Sequence, residues 1–348
     1  MAESQGPARA ETATARLRRV VVFSTGRGRK ENPVITFGPI PSRRLGRSLG
    51  VNHIPWKACS YSCLYCQVGP TMHLRAERQA FLASTQVVDA VARKVDECRA
   101  AGEAIDYISF VPDGEPTLDQ NLGAHIRGLA STGIPIAVIT NASLLWMPEV
   151  RADLAAANLV SVKVDTTRPE TWHRLNRPHG ELDLERVLDG IRAFAKEYRG
   201  ELMSDTMLVD AMNDDEESVT GVADFLSVIA PSRACLGVPT RPPARPNLAP
   251  ASELALLRAH EIMSARLPRV DMLSKYEVGA FVRTGDPVED LMAILAVHPM
   301  RVTTARTYLR DGGVDPALLD QLAGDGRVDQ VEYRGDAFVV RRPTPARR

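Results

Sequence analysis

Strand-like and helix-like segments alternate along this chain with a regularity that few folds accommodate. Apolar runs that read as strands lie at 48–54 (SLGVNHI), 105–111 (IDYISFV), 134–140 (IPIAVIT), 158–165 (NLVSVKVD), 201–210 (ELMSDTMLVD) and 233–239 (RACLGVP). Between them, apolar positions recur at helical spacing over 85–102, 121–133, 148–157, 183–198 and 215–230, with Gly102 and Gly133 placed to cap two of these helices. A strand–helix unit repeated about six times, at roughly thirty-five-residue spacing, points to parallel βαβ units with right-handed crossovers. The predicted fold is α/β: an open or partial (β/α)6 barrel, whose chemistry belongs on the loops at the strand C-termini.

The rhythm has flanks. Residues 1–33 are small, basic and aperiodic, which predicts a disordered basic N-terminal arm ahead of a core domain spanning 34–284. A proline-rich stretch (238–250) precedes a further helix at 251–267. Beyond Gly285-Asp286-Pro287 the texture changes to three short helices and a hairpin around Arg334-Gly335-Asp336, the pattern of a small winged-helix-like module over 285–345. Lys+Arg and Asp+Glu number 43 each, so bulk charge does not tether the chain to nucleic acid or membrane. No apolar run reaches the eighteen residues of a membrane span, and the N-terminus lacks the apolar core of a secretory signal. The expected location is the cytoplasm.

Three of the five cysteines, Cys59, Cys63 and Cys66, fall within eight positions (ACSYSCLYCQVG, 58–69). An odd, clustered set does not build a secreted disulfide framework. Thiolates bind soft metals, so zinc and iron–sulfur are the metal candidates. Structural zinc needs a fourth ligand, for which His53 or His73 would have to serve without a recognisable zinc spacing. A Cys63/Cys66 redox pair leaves Cys59 unused. A [4Fe-4S] cluster held by three thiolates accounts for the number and leaves one iron open to another ligand.

The Cys-x3-Cys-x2-Cys spacing, with an aromatic residue before the last cysteine and a first strand before the loop, resembles the radical S-adenosylmethionine (SAM) superfamily, over about residues 34–280. The resemblance implies a [4Fe-4S] cluster on Cys59, Cys63 and Cys66 and SAM as second cofactor. One-electron cleavage of SAM would then give a 5′-deoxyadenosyl radical that abstracts a substrate hydrogen. It further implies that a Gly-Gly-Glu-type turn after the second strand binds the methionine amino group; here that place holds Asp113, Gly114 and Glu115, with Asp in place of the first glycine. Asn141, Ser143, Lys163 and Asp165 end the third and fourth strands and are expected to reach the ribose and carboxylate, with Tyr65 beside the cluster and adenine. As ordinary structure, the same residues would be a turn, a helix cap and ion pairs.

The leader FGPIPSRRLGRSLGVNHIPWKACSYSCLYCQVG (37–69), TWHRLNRPHG (171–180), MLVDAMND (207–214), PTRPP (239–243) and AVHPMR (296–301) look like the stand-alone radical SAM proteins related to wyosine (tRNA imidazoguanosine) synthases. Those synthases bind a second cluster through cysteines N-terminal to the motif. No cysteine precedes Cys59, so one cluster is expected. Some enzymes of that type use a lysine to bind a ketoacid; Lys57 and Lys163 are the lysines near the expected active face. Candidate substrate contacts are Arg43, Arg44 and Arg47 of SRRLGRS, read as beside the cluster loop, and His173, Asn176, Arg177 and His179 of HRLNRPH at the fourth strand's exit.

Three functions compete on these residues. The first choice is a radical SAM enzyme acting on a small metabolite or a peptide. The second acts on tRNA, with the basic arm and C-terminal module as RNA grips. The third is an iron–sulfur sensor with a DNA-binding tail. On the tail's TTARTYLRDGG stretch, Arg306 and Arg310 are offset by Asp311 and Asp320, which is poor in charge for a DNA reader. The superfamily's usual electron donors, flavodoxin or ferredoxin, are the expected protein partners.

Overall fold

The computed structural model describes residues 35–274, 281–283 and 285–342. The expected basic arm lies outside the described residues. An antiparallel hairpin, β1 (Thr36–Ser42) and β2 (Gly46–Val51), opens the sheet. A long loop carrying the two-residue strands β3 (Ala58–Cys59) and β4 (His73–Leu74) follows, then α1 (Ser84–Ala100) and β5 (Tyr107–Phe110). The chain continues through α2 (Leu122–Leu129), β6 (Ile136–Thr140), α3 (Pro148–Leu154), β7 (Leu159–Lys163), α4 (Pro169–Leu175) and α5 (Leu184–Glu197). It closes the sheet with β8 (Glu201–Met207), α6 (Glu216–Ile229), β9 (Arg233–Gly237), α7 (Glu253–Ser264) and β10 (Val270–Leu273).

These strands form one curled sheet in the order β1-β2-β5-β6-β7-β8-β9-β10, parallel throughout except for β1. The six expected strands are all present. Two were not anticipated: β1, whose register is broken by a bulge between Phe37 and Ile40, and β10, which is short and only partly buried. Helix α4 was likewise expected as loop.

Period-2 alternation divides the sheet residues between two cores. Val138, Val160, Val162, Leu202 and Ala234 face the helices and join the main core. Ala137, Leu159, Met203, Cys235 and Leu273 point the other way, where Leu45 from the β1–β2 turn packs among them. That turn lies at the N-terminal ends of the parallel strands and floors the half-barrel.

The remaining chain forms α8 (Pro287–Val297), β11 (Met300–Arg301), α9 (Val302–Asp311), α10 (Leu318–Gly324), β12 (Val328–Tyr333) and β13 (Asp336–Arg341), with a three-stranded sheet ordered β11-β13-β12. This segment runs helix–strand–helix–helix–hairpin, and the hairpin turns at Arg334-Gly335. From Leu291 to Val297, helix α8 is buried on all sides because it serves two cores. Leu291, Ile294 and Leu295 pack with α9 and α10, while Ala293, Ala296 and Val297 pack on Phe37 of β1. Lys94 of α1 pairs with Asp290 of α8 at 3.1 Å, which ties the two parts together.

Candidate active site

The cysteine loop leaves β2 at the C-terminal end of the sheet, and its backbone is fixed on two sides. On one, Leu64 N–H donates to Leu175 O (2.9 Å), Ser62 N–H to Asn176 O (3.0 Å) and His179 N–H to Ser60 O (2.9 Å). On the other, Glu115 N–H donates to Ala58 O (3.0 Å), and the Asp113–Gly114–Glu115 turn presses so closely on the loop that a Cβ at Gly114 would lie 1.9 Å from the Ala58 carbonyl oxygen. Glycine is required there by contact, not by backbone angle.

All three cysteines are free thiols, and each sulfur receives one N–H donor from outside its own stretch or from Lys57. Asn141 Nδ2 approaches Cys59 Sγ (3.7 Å), Asn176 Nδ2 approaches Cys63 Sγ (3.5 Å), and Lys57 Nζ donates to Cys66 Sγ (3.2 Å). Burial pushes the Cys63 thiol up to about 12, with the nearby Asp165 carboxylate acting in the same direction, and burial raises Cys59 further. Among the described residues no three metal-ligating side chains are gathered as a ready-made metal site, but three free thiols on one short stretch, each facing an N–H donor suited to a charged sulfur ligand, are the donor set a thiolate-bound cluster takes.

The other strand-end residues gather at the same mouth. Glu115 is 1% exposed, and its carboxylate accepts from Thr117 N and Oγ1, Thr140 Oγ1 (2.5 Å) and Asn141 N (2.8 Å). It clamps the turn to the end of β6. Ser143 Oγ and Asn141 Nδ2 both bond to Ser60 Oγ, at 2.6 and 2.8 Å. Asp113 is held through Asn52 Nδ2 (3.1 Å), while its Oδ1 is buried without a partner among the described residues; burial raises this carboxyl to about 6, against the opposing pull of Asn52 and Lys57.

A buried polar chain runs from the floor to the cluster loop. Arg44 pairs with Asp205, Asp205 accepts from Lys163 Nζ (2.5 Å), and Lys163 lies 3.6 Å from Asp165. Asp165 accepts from Tyr65 Oη and from Asn176 Nδ2 (2.7 Å), which returns to Cys63. Burial works against ionisation of Asp205, yet the Arg44 guanidinium and Lys163 ammonium hold it well below the usual carboxylate range.

Several expected placements change. Arg43, Arg44 and Arg47 are not beside the cluster loop. They sit at the floor, where Arg43 donates to Leu273 O, Arg44 meets Asp205 and Arg47 meets Asp106 at 3.4 Å. The β1–β2 pairing dictates this, because the turn is at the opposite end of β2 from the cysteines. In HRLNRPH, Asn176 is buried against Cys63, Tyr65 and Asp165, and His179 lies partly buried beside the loop; His173 and Arg177 are exposed. Lys57 is buried with its ammonium on Cys66, and Lys163 is engaged by two carboxylates. Sequence reasoning missed a second link across the mouth: Arg241 Nη1 donates to Gln67 Oε1 (2.5 Å) beside Cys66, and Arg241 Nη2 lies 3.2 Å from His298 Nε2 at the end of α8. Gln67 Nε2 also donates to Val297 O (3.3 Å).

Comparison with known proteins agrees with this geometry. Residues 53–220 match the family described as the radical SAM superfamily. The chain is 38% identical over 309 residues to the UPF0026 protein MJ1312 of Methanocaldococcus jannaschii, covering 88% of this chain and 96% of that one. It is 38% identical over 208 residues to the UPF0026 protein slr1464 of Synechocystis, covering 59% of this chain and 76% of the other. Among solved structures, a radical SAM methyltransferase from Sphaerobacter thermophilus superposes with a TM-score of 0.51 at 18% identity over 67% of each chain, a likeness of fold. With its partial barrel and three-cysteine loop, the chain belongs to the UPF0026 family within the radical SAM superfamily.

Proposed function

We propose that this protein is a radical SAM enzyme acting on a small metabolite or peptide, with one [4Fe-4S] cluster on Cys59, Cys63 and Cys66 and SAM at the adjoining strand ends. When bound, this pair supplies one-electron cleavage of SAM to a 5′-deoxyadenosyl radical that removes a substrate hydrogen. The observation that carries the reading is that the three free thiols of one loop at the strand C-termini each face an N–H donor.

The chain's part is to hold and orient. Cys59, Cys63 and Cys66 would take the cluster, and Asn141 and Asn176 fix the direction of two sulfurs. Asp113, with a buried unpartnered oxygen, and Gly114, with no side chain to fill the space, suit the ammonium end of SAM. Glu115 accepts from the frame at both carboxylate oxygens, three donors at Oε1 and one at Oε2, so its role is to set the turn. Asn141 and Ser143 face the same mouth, as do Lys163, Asp165 and Tyr65, which are bonded to one another through Asp165. Substrate approaches from the mouth, where the cysteine loop lies and where Gln67, Arg241 and His298 join it to α8. In α9, Arg306 is paired with Asp320 at 3.0 Å, which favours a small substrate over a nucleic acid gripped by that helix.

The test is anaerobic reconstitution with iron and sulfide, then dithionite and SAM, with 5′-deoxyadenosine as the readout. About four irons per chain and 5′-deoxyadenosine formation, both lost in Cys63→Ala, are expected. Zinc in place of iron, or a cluster that leaves SAM intact with candidate substrates present, would overturn the reading.

A further inference from the structure

We infer that Lys57 is a positioning residue that sets the reduction potential of the cluster, by placing a buried cation against one of its three sulfur ligands. The inference rests on the cluster assignment proposed above. Lys57 is 2% exposed, one of the largest side chains shut away from solvent in this molecule. Its backbone takes the left-handed conformation (φ 53°), and its carbonyl accepts from both Met72 N–H (3.3 Å) and His73 N–H (3.1 Å), so the residue is held at both ends. A lysine two positions from a loop could easily send its amine to water. This one turns inward and donates to Cys66 Sγ at 3.2 Å.

Burying an ammonium is costly unless an opposite charge compensates it. The other lysine of the site, the partly buried Lys163, has two carboxylates within 4 Å. Among the described residues the Lys57 ammonium has no carboxylate in salt-bridge contact, although Asp113 lies close enough to feel its charge; its one side-chain hydrogen bond is to sulfur. Its closest compensating charge is therefore the set of ligating thiolates, with Asp113 farther off, and the structure places the ammonium unevenly among the sulfurs. Cys59 and Cys63 face neutral amide donors at 3.7 and 3.5 Å, whereas Cys66 alone faces a cation, and at a shorter distance.

Reduction adds negative charge to an iron–sulfur centre that thiolates already make anionic. A fixed cation at a sulfur ligand stabilises the reduced form more than the oxidised one and raises the potential; cluster potentials respond to net charge and to hydrogen bonds at sulfur. The two asparagines contribute hydrogen bonds of the ordinary kind. Lys57 adds the charge.

The experiment is an anaerobic redox titration of the reconstituted full-length protein without SAM, followed by the electron paramagnetic resonance of the reduced cluster. Wild type, Lys57→Arg, Lys57→Gln and Lys57→Met are compared at matched iron content. The expected result is a midpoint near wild type for Lys57→Arg and a clearly more negative midpoint for Lys57→Gln and Lys57→Met. A Lys57→Gln midpoint equal to wild type overturns the inference, as does a Lys57→Arg shift as large as that of Lys57→Gln. If Lys57→Gln and Lys57→Met bind no iron although circular dichroism shows them folded, Lys57 builds the site and does not tune it, which also overturns the inference. Wild type that binds no iron instead removes the cluster assignment itself, so the two failures are told apart by the first iron determination.

Discussion

Glu115 shows how a single carboxylate can frame a site without entering its chemistry. It accepts from two side-chain hydroxyls and two backbone amides while almost wholly buried, and burial raises its pKa although those bonds oppose the rise. Glu115→Gln turns one acceptor oxygen into a donor facing donors, so it should cost about 1–3 kcal/mol, seen as a lower urea midpoint at unchanged slope. Gly114→Ala should be worse placed still, because the new methyl meets the Ala58 backbone and not a movable side chain. Its expected effect is iron binding reduced severalfold in a chain that still folds, measured by iron per chain beside circular dichroism. The cysteines and the Asp113–Gly114–Glu115 turn were legible in the sequence because motif residues are adjacent in the chain. The donors to sulfur were not: Asn176 lies 113 positions from Cys63, and no local pattern joins them. Lys57 was visible as a lysine near the active face, but its inward turn depends on a left-handed backbone that the local sequence did not announce.

At the scale of elements, the six expected strands follow from apolar runs, and the two extra ones explain the limits of that reading. Strand β10 is only four residues long and its apolar run is broken by Asp271, so Val270–Leu273 is too short to read as a strand from pattern alone. In α4, proline at the first turn followed by Glu170 is a helix-start signature, which the polar character of HRLNRPH obscured. A second elemental joint lies beneath the site, where His53 after β2, Asp119 after the Glu115 turn and His125 in α2 are packed with no exposure beside Phe110. His125 Nε2 meets Asp119 Oδ2 at 3.0 Å. Burial lowers His53 to about 4, with His125 acting in the same direction and Asp119 against it. The folded value is below the unfolded one, so protonation favours unfolding. The stability this group contributes is complete above about pH 6.5 and is lost as pH falls toward 4, by about 3 kcal/mol. Urea titrations of the cluster-free protein from pH 7 to 4 should show that decline, and a His53→Leu variant should flatten it; equal slopes in both would contradict the assignment.

For the whole molecule, the decisive contact is α8 on β1. The sequence marked the C-terminal segment as a separate small unit, but nothing in the local pattern said where it docks. Docking puts the end of α8 over the cluster loop through His298, Arg241 and Gln67. Ala296 is packed against Phe37 in that seam. Ala296→Asp should bury an unpaired carboxylate there, release the segment, and increase the radius of gyration in small-angle scattering while both cores persist; an unchanged radius would show that the seam is not what holds the two parts together. The same geometry bears on partners. Net charge is zero and the α9 arginine at 306 is already paired, so bulk tRNA should bind too weakly to survive near-physiological salt in a filter-binding assay.

The central claim is that three thiolates hold a cluster with one iron left for SAM. It is tested most directly by electron paramagnetic resonance of the dithionite-reduced, reconstituted protein before and after SAM is added. The account predicts a [4Fe-4S] signal whose line shape changes on addition of SAM, and a changed line shape that is absent in Gly114→Ala at matched iron. A reduced cluster whose spectrum is indifferent to saturating SAM would contradict it.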